Sequence, residues 1–329
     1  MSTISEQVQS FLSQAKFPVD QDGAAKFTID NSTLAAGKKA LLTTKGLLKI
    51  TGEQRLKFLQ GQSTFDSTTL TPEQASYGAF CNLKGRAIVN FLAYDDGTSS
   101  YLIMHQSLIT ELIEHLTKFA VFFRVTLEQA SSLLVTGLLH ENNETHFLKS
   151  DIDEQEVRIA IEASRTLIIT NVDSVKATSN ETDWISESDW NLLDMAQGIA
   201  WTSKSTREEF LPQLLGLEEI EGLSFNKGCY TGQEIIARMK YRGQLKRHLR
   251  YAELTPIAQE DIDLPSLQQS VGIKISSNDK KNAGQIINCE VLESKVFALL
   301  TLEDESLDAE EIKIGEKVFK IKLLPMKTK

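Results

Sequence analysis

The chain has 329 residues, of which 41% are hydrophobic and 24% are charged, as in ordinary folded proteins, and its length predicts two or three domains. Its formal net charge of −10 excludes a globally basic nucleic-acid-binding protein but leaves room for a local basic patch. We expect a cytoplasmic protein, because the start of the chain lacks a signal-peptide pattern, no apolar run reaches membrane length, and three scattered cysteines suit a reducing compartment.

The first half of the chain predicts two helices among short strands. Thr51 and Gln54 have the spacing of a capping box, which predicts a helix directly after them. A continuous apolar stripe predicts a second helix over 107–119, with Ser107 as its N-cap. Apolar runs between Gly-containing turns predict strands over 77–81, 87–94 and 101–104.

The second half divides into three parts. Short β-like runs within 130–180 predict a small α+β unit, and a helix is predicted from about Ser188 to a C-terminal cap at Gly198. From Lys246 onward, short strands separated by turns predict a small barrel or sandwich, and the acidic run 303–311 predicts a solvated loop. The strands predicted in this last part are 249–254, 271–276, 284–292, 296–302 and 318–323.

Standard cofactor motifs are missing from the sequence. It contains no P-loop, no dinucleotide-binding glycine motif, no nucleophile elbow and no local zinc motif. His140 and His146 lie in a polar segment that is typical of a solvated loop, so we predict no metal site.

One segment, residues 224–243, carries unusual chemistry. Cys229 lies between Gly228 and Gly232, and glycines at these positions predict a tight turn with close backbone approach. A cysteine near Lys227 and near the start of a helix over 233–241 favours a nucleophilic or redox-active thiolate. The alternative is a small buried cysteine in a packed loop, and the residues alone leave both interpretations open.

The charge of the following stretch favours an anionic partner. Residues 227–250 contain seven Lys or Arg and one acid, Glu234, which gives a local charge of +6 in an acidic chain. A solvated helix face would also account for such a run. A polyglutamate tail, a phosphate backbone or an acidic protein face would each complement the charge.

The string K-G-C-Y-T-G-Q-E at 227–234 resembles the signature of the YgfZ family of folate-binding proteins, which are relatives of the glycine cleavage T protein. The similarity runs from about residue 45 to 250. Further pieces resembling family motifs follow in the same order: G-Q-x-T-x-D at 61–66, K-G-R at 84–86, K-F-A-V-F-F-R-V-T at 118–126, F-L-P-Q at 210–213 and G-L-S-F at 222–225.

The resemblance implies an α+β, three-module aminomethyltransferase-like fold: a folate-binding core over 1–129 and 186–245, a small ferredoxin-like insert over 130–185, and a C-terminal β-barrel over 246–329. It also implies a function, namely binding of tetrahydrofolate or a derivative, maintenance of iron–sulfur enzymes, and through them tRNA modification. Bacterial members of the family are further linked to regulation of replication initiation through the DnaA protein. A folate ligand and iron–sulfur client enzymes are therefore the implied partners; direct tRNA contact through 227–250 stays open, and no membrane is implied.

The resemblance also places functional residues. Cys229 takes the position of the family's functional cysteine, with Lys227 beside it. Folate contacts are implied for Trp190 and for the loop residues Tyr230, Gly232, Gln233 and Glu234. Trp190 equally suits a core position, because it shares a helix face with Leu193.

Two positions depart from the family and its relatives. Lys45 stands where the family can carry a folate-contacting aromatic residue, and a Lys can instead pair with a folate carboxylate. Asn90 falls where the T protein has its catalytic carboxylate, and an amide cannot act as a base. We therefore expect an accessory protein rather than an enzyme; a folate-dependent methyl or aminomethyl transferase and a tRNA-binding module are the alternatives.

Overall fold

The computed structural model describes residues 36–141, 148–152, 156–171, 174–175, 184–257, 271–277, 280–292 and 295–327. These residues form two compact units. The first combines the described residues up to Gly78 with Phe91–Trp190, and the second combines Ala79–Asn90 with Asn191–Lys329. The N-terminal segment and His146 lie outside the described residues.

Two sheets organise the first unit. One has five strands in the order β3-β4-β5-β2-β6, and its strands β3 and β4 extend into residues of the second unit. The other has six strands in the order β11-β1-β7-β10-β9-β8. The bounds are β1 Lys39–Leu41, β2 Lys45–Thr51, β3 Ser76–Cys81, β4 Ala87–Asp95, β5 Ser99–His105, β6 Thr126–Gln129, β7 Leu133–Leu139, β8 Ser150–Ile152, β9 Glu156–Glu162, β10 Arg165–Asn171 and β11 Trp184–Ile185.

Four α-helices are described, and both helices predicted in the first half are present with different starts. The bounds are α1 Arg55–Gln62, α2 Ile109–Phe123, α3 Glu187–Ala196 and α4 Gln233–Tyr241. The predicted capping box is wrong, because Thr51 is held in β2 between two neighbouring strands and α1 begins without a side-chain cap. The predicted cap at Ser107 is also wrong, because Ser107 lies in a 3₁₀ turn whose cap is the His105 side chain.

A closed barrel forms the C-terminal part of the second unit. Its order is β12-β15-β14-β13-β16-β17, with buried aliphatic side chains and Phe319 filling the interior. One strand of the barrel, β16, lies at the end of the predicted acidic loop; Ile312 and Ile314 alternate inward there while Glu311 and Lys313 face solvent. The bounds are β12 Arg247–Pro256, β13 Lys274–Ser277, β14 Lys280–Leu292, β15 Lys295–Glu303, β16 Glu311–Ile314 and β17 Lys317–Leu324.

The α+β class and the C-terminal barrel predicted from the sequence are confirmed. Within 130–185 the described residues supply β7 to β11, and β1 from the start of the described chain joins their sheet between β11 and β7. No helix of the described residues is long and apolar enough to cross a membrane.

Candidate functional site

The Cys229 side chain is exposed in the turn that leads into α4. The carbonyl of Tyr230 accepts a hydrogen bond from the Gln233 N–H at 3.2 Å, and the carbonyl of Gly232 accepts one from the Ile236 N–H at 3.3 Å. These two bonds form the first turn of α4, which begins shortly after Cys229 in the chain. The predicted helix over 233–241 is therefore present, and Cys229 stands four residues before its first residue.

Gly232 joins this turn to the hairpin that contains the K-G-R motif. Its φ is +84°, and a Cβ added there would lie 2.6 Å from the carbonyl oxygen of Asn82 and 2.9 Å from the Cα of Gly85. Only glycine fits such a position, because it lacks the side chain that would collide with both backbone segments. The motifs at 84–86 and 227–234 are far apart in the sequence. In the structure they are packed backbone against backbone in one unit.

The Asn82 side chain stabilises the turn of this hairpin. Its Oδ1 accepts hydrogen bonds from the backbone N–H groups of Lys84 at 2.9 Å and Arg86 at 3.1 Å. Its Nδ2 donates to Glu208 Oε2 at 2.9 Å. The Asn82 side chain therefore fixes the shape of the hairpin that supports Gly232, although no motif in the sequence marks it.

Lys227 and Tyr230 form a cation–π pair within the turn. The Lys227 ammonium lies 5.1 Å from the centre of the Tyr230 ring, and both side chains are largely buried. Burial raises the pKa of the Tyr230 phenol, with a smaller contribution from the nearby Cys81 thiol. The Tyr230 hydroxyl has no hydrogen-bond partner among the described residues. Lys227 is predicted as a cation near the thiol. In the structure its ammonium contacts the ring of Tyr230 in the same turn.

The remaining predicted loop residues divide by role. Gly228 has no positive φ, and a Cβ added there would meet no atom within 4 Å, so the close backbone approach predicted for this turn is present at Gly232 and not at Gly228. Gln233 opens the helix through its backbone N–H. Glu234 is exposed in the first helical turn, where a negative charge favours the helix dipole.

The basic run at 227–250 is partly neutralised by acids that are distant in sequence. Lys240 forms an ion pair with Glu218, Arg247 pairs with Glu303 at 3.1 Å, and Arg250 lies 3.9 Å from Asp304. The acidic run starting at Glu303 is therefore not simply a solvated loop, because its first carboxylates pair with Arg247, Arg250 and Lys280. The local charge of +6 overstates what this stretch presents to solvent.

Asn90 is buried in the middle of β4, and both ends of its amide form hydrogen bonds. Its Nδ2 donates to the carbonyl of Ala200 at 2.6 Å, and its Oδ1 accepts from the Thr202 N–H at 2.8 Å and from the Thr202 hydroxyl at 2.7 Å. The side chain therefore binds β4 to the 200–202 segment. An amide in this arrangement holds structure and cannot take up a proton.

Lys45 lies in the first unit, in a cluster of polar side chains. Lys45 is largely buried and pairs in register with His105. Nearby, the Glu187 carboxylate accepts hydrogen bonds from the backbone N–H and hydroxyl groups of Thr43 and Thr44. Burial raises the pKa of Glu187, against the opposing effect of these hydrogen bonds and of Lys45. The sequence carried no signal for this cluster, because its members come together only in the tertiary structure.

Trp190 is in the same unit, fully buried at 1% exposure. Its ring lies so close to Gly137 that a Cβ there would be 2.3 Å from the indole, and Arg165 stacks over the ring at 5.1 Å. This environment favours the core interpretation of Trp190. The structure thus places Lys45 and Trp190 in one unit and the predicted residues of 227–234 in the other. No group of three potential metal-ligating side chains is brought together among the described residues.

The architecture defines the chain as a protein with the aminomethyltransferase T fold. The solved structure of the glycine cleavage system aminomethyltransferase T from Bartonella henselae matches it with a TM-score of 0.72, covering 98% of this chain and 97% of that chain at 11% sequence identity. Identity this low shows a shared fold and does not by itself show shared chemistry. No protein-family model matches the chain.

Comparison with curated proteins gives the family. The tRNA-modifying protein YgfZ of Colwellia psychrerythraea is 31% identical over 229 residues, which cover 63% of this chain and 69% of that protein. The protein of the same name from Vibrio atlanticus is 28% identical over 288 residues, covering 83% of this chain and 87% of that protein. The chain belongs to the YgfZ family.

Proposed function

We propose that this chain is a folate-binding accessory protein that supports the assembly or repair of iron–sulfur enzymes, among them enzymes that modify tRNA. The observation that carries the proposal is the exposed thiol of Cys229. Cys81 and Cys289 are buried, and burial raises the pKa of both thiols, to about 12 for Cys289. Handling iron, sulfur or reduced carbon requires an accessible thiol, and Cys229 alone of the three cysteines is exposed.

The surroundings of Cys229 support a preformed working loop. The close contact of Gly232 with the hairpin and the stacking of Lys227 on Tyr230 hold the turn in one shape. A reactive group on a rigid support needs little reorganisation when its substrate arrives. The name of the curated relatives points to tRNA modification as the process served, and the link to DnaA enters the proposal through the family resemblance alone.

In this proposal a tetrahydrofolate derivative binds to the chain with Lys45 as a contact. The Lys45 ammonium is suited to a folate carboxylate because a charge-assisted hydrogen bond forms between them. Bound tetrahydrofolate would supply a carrier for one-carbon units. Because Trp190 is enclosed by Gly137 and Arg165, folate binding is better tested at Lys45.

A folate-dependent aminomethyl or methyl transferase is the alternative function. Such a reaction needs a group that takes up a proton or stabilises a developing positive charge. The T-protein carboxylate position is occupied here by Asn90, whose amide atoms bind Ala200 and Thr202. This occupation favours the accessory role. Turnover of a methylated substrate with formation of methylene-tetrahydrofolate would instead establish the transferase.

The thiol is tested by complementation. A strain lacking its own family member would express wild-type chain, Cys229→Ala, or Gly228→Ala as the matched control from the same turn. We expect Cys229→Ala to fail to restore the modified tRNA nucleosides made by iron–sulfur enzymes, and Gly228→Ala to restore them. Circular dichroism would check that both variants fold. Full restoration by folded Cys229→Ala would contradict the proposal.

Folate binding is tested by titrating tetrahydrofolate and following intrinsic tryptophan fluorescence. Lys45→Met keeps the length of the side chain and removes its charge. Loss of a charged hydrogen bond worth about 1.5–3 kcal/mol predicts a dissociation constant raised roughly 10- to 100-fold. Lys313→Met, an exposed cation on the barrel, is the control and should bind as wild type does. Absence of saturable binding to the wild-type chain would remove folate from the proposal.

A further inference from the structure

An exposed basic face lies along α4 and the hairpin beside it. Gly85 of the hairpin packs on α4, because a Cβ added there would lie 3.0 Å from Ile235 Cβ. Arg238 follows Ile235 by three residues, which places both on one side of the helix. Arg242 is the residue that caps the C-terminal end of α4, where its N–H donates to the Arg238 carbonyl at 2.9 Å. Lys84 precedes Gly85 at the tip of the hairpin. Lys84, Arg238 and Arg242 are exposed, and together we call them the α4 basic face.

None of the three cations of this face has an acidic partner within 4.0 Å among the described residues. Elsewhere in the same unit, Lys240, Arg247 and Arg250 each have a carboxylate within 4.0 Å, and so does Arg86 of the hairpin. Glu234 is the acid closest in sequence on this side of α4, one turn before Arg238, and it forms no ion pair with it in the described structure. A chain with excess acid thus leaves these three cations of α4 and its hairpin without an ion pair in the described structure.

The apolar component of this face is small and divided. Leu83, 86% exposed, lies at the hairpin tip, and Tyr241, 67% exposed, is the last residue of α4. The nine residues of α4 span about 13 Å, so these two side chains stand at opposite ends of the helix. A protein interface needs a central apolar anchor, whereas contact with a phosphate backbone needs spaced cations. The arrangement therefore favours a nucleic acid over an acidic protein surface.

We propose that the α4 basic face binds folded RNA directly, through its phosphate backbone. Arg238 and Arg242 offer planar guanidinium groups that bind phosphate oxygens in pairs, and Lys84 adds a third point charge. Tyr241 at the end of the helix offers a ring on which an unpaired base can stack. This inference goes beyond the proposed function, in which other enzymes contact the tRNA, and it depends on neither folate nor the thiol.

The test is binding of unfractionated tRNA to the full chain, measured by fluorescence anisotropy at several salt concentrations. Three phosphate contacts predict that affinity falls roughly 20- to 40-fold between 50 and 200 mM salt. Arg238→Gln/Arg242→Gln should weaken binding and reduce the salt slope by about 1.4–1.8. Lys313→Gln/Lys320→Gln, which removes the same charge from exposed positions on the barrel of the same unit, should leave affinity and slope near the wild-type values.

Three results would overturn the inference. These are no saturable tRNA binding at 50 mM salt, equal weakening by the α4 pair and the barrel pair, and displacement of tRNA by polyglutamate at comparable affinity, which would indicate an acidic polypeptide as the partner. Lys84→Gln, on the hairpin, gives a second variant outside the helix and should weaken binding less than the double change. Cys229→Ser should bind tRNA as wild type does, so failure of the thiol proposal and failure of this inference are distinguishable.

Discussion

Replacing Gly232 by alanine should disrupt the packing of the Cys229 turn against the hairpin at 84–86 and destabilise the chain. At a φ of +84° an alanine is in the left-handed region, which costs about 1–2 kcal/mol. Its Cβ would also lie 2.6 Å from the Asn82 carbonyl oxygen and 2.9 Å from the Gly85 Cα, and relieving such overpacking costs about 1–3 kcal/mol. The free energy of unfolding should therefore fall by about 2–5 kcal/mol, which corresponds to a urea midpoint lower by roughly 1–2 M.

Gly228→Ala provides the control from the same turn. Gly228 has no positive φ, and an added Cβ meets no atom within 4 Å, so the change should alter stability by less than about 1 kcal/mol in either direction. Urea denaturation followed by circular dichroism measures both variants against wild type. Equal midpoints for the two variants would show that the packing of Gly232 on the hairpin does not stabilise the turn, and the Cys229 loop would then not be held rigid by this contact.

Three further predictions concern packing, thiol reactivity and pH. Gly137→Ala should destabilise the chain by about 1–3 kcal/mol and shift tryptophan emission, because its Cβ would lie 2.3 Å from Trp190; an unchanged urea midpoint would contradict this. A thiol reagent should modify one cysteine in the native chain, Cys229, and three in denaturant; more than one native thiol would contradict the burial of the others. Burial, with a smaller contribution from the Lys45 ammonium, lowers the pKa of His105 to about 3, below its value in the unfolded chain. The unfolded chain therefore takes up the proton first, and the free energy of unfolding falls as the pH falls from about 6.5 towards 3. Between pH 7.5 and 5 this amounts to about 2 kcal/mol, and His105→Asn should remove that part of the pH dependence in urea titrations.

Much of the local structure was predictable from the sequence. The nine-residue strand β4 was identified as a short apolar run between turns and is buried along its whole length, and the helix α2 was identified because its apolar side chains recur with the helical period. Helix caps were predicted less well. Thr51 has the right spacing for a cap, yet its backbone is engaged in β2, and pairing between strands distant in sequence is not visible in a local pattern.

The sequence by itself determined the α+β class, the barrel, the family resemblance and the unusual string around Cys229, since each depends on residue type and spacing along the chain. Only the tertiary structure decided which residues meet. It packed Gly232 on the hairpin at Gly85, and it gave three cations of the basic run acidic partners while leaving Arg238 and Arg242 without one among the described residues. It also enclosed Trp190. Contacts of this kind arise from folding of distant segments against one another, so their charges and clearances cannot be read from neighbours in the sequence.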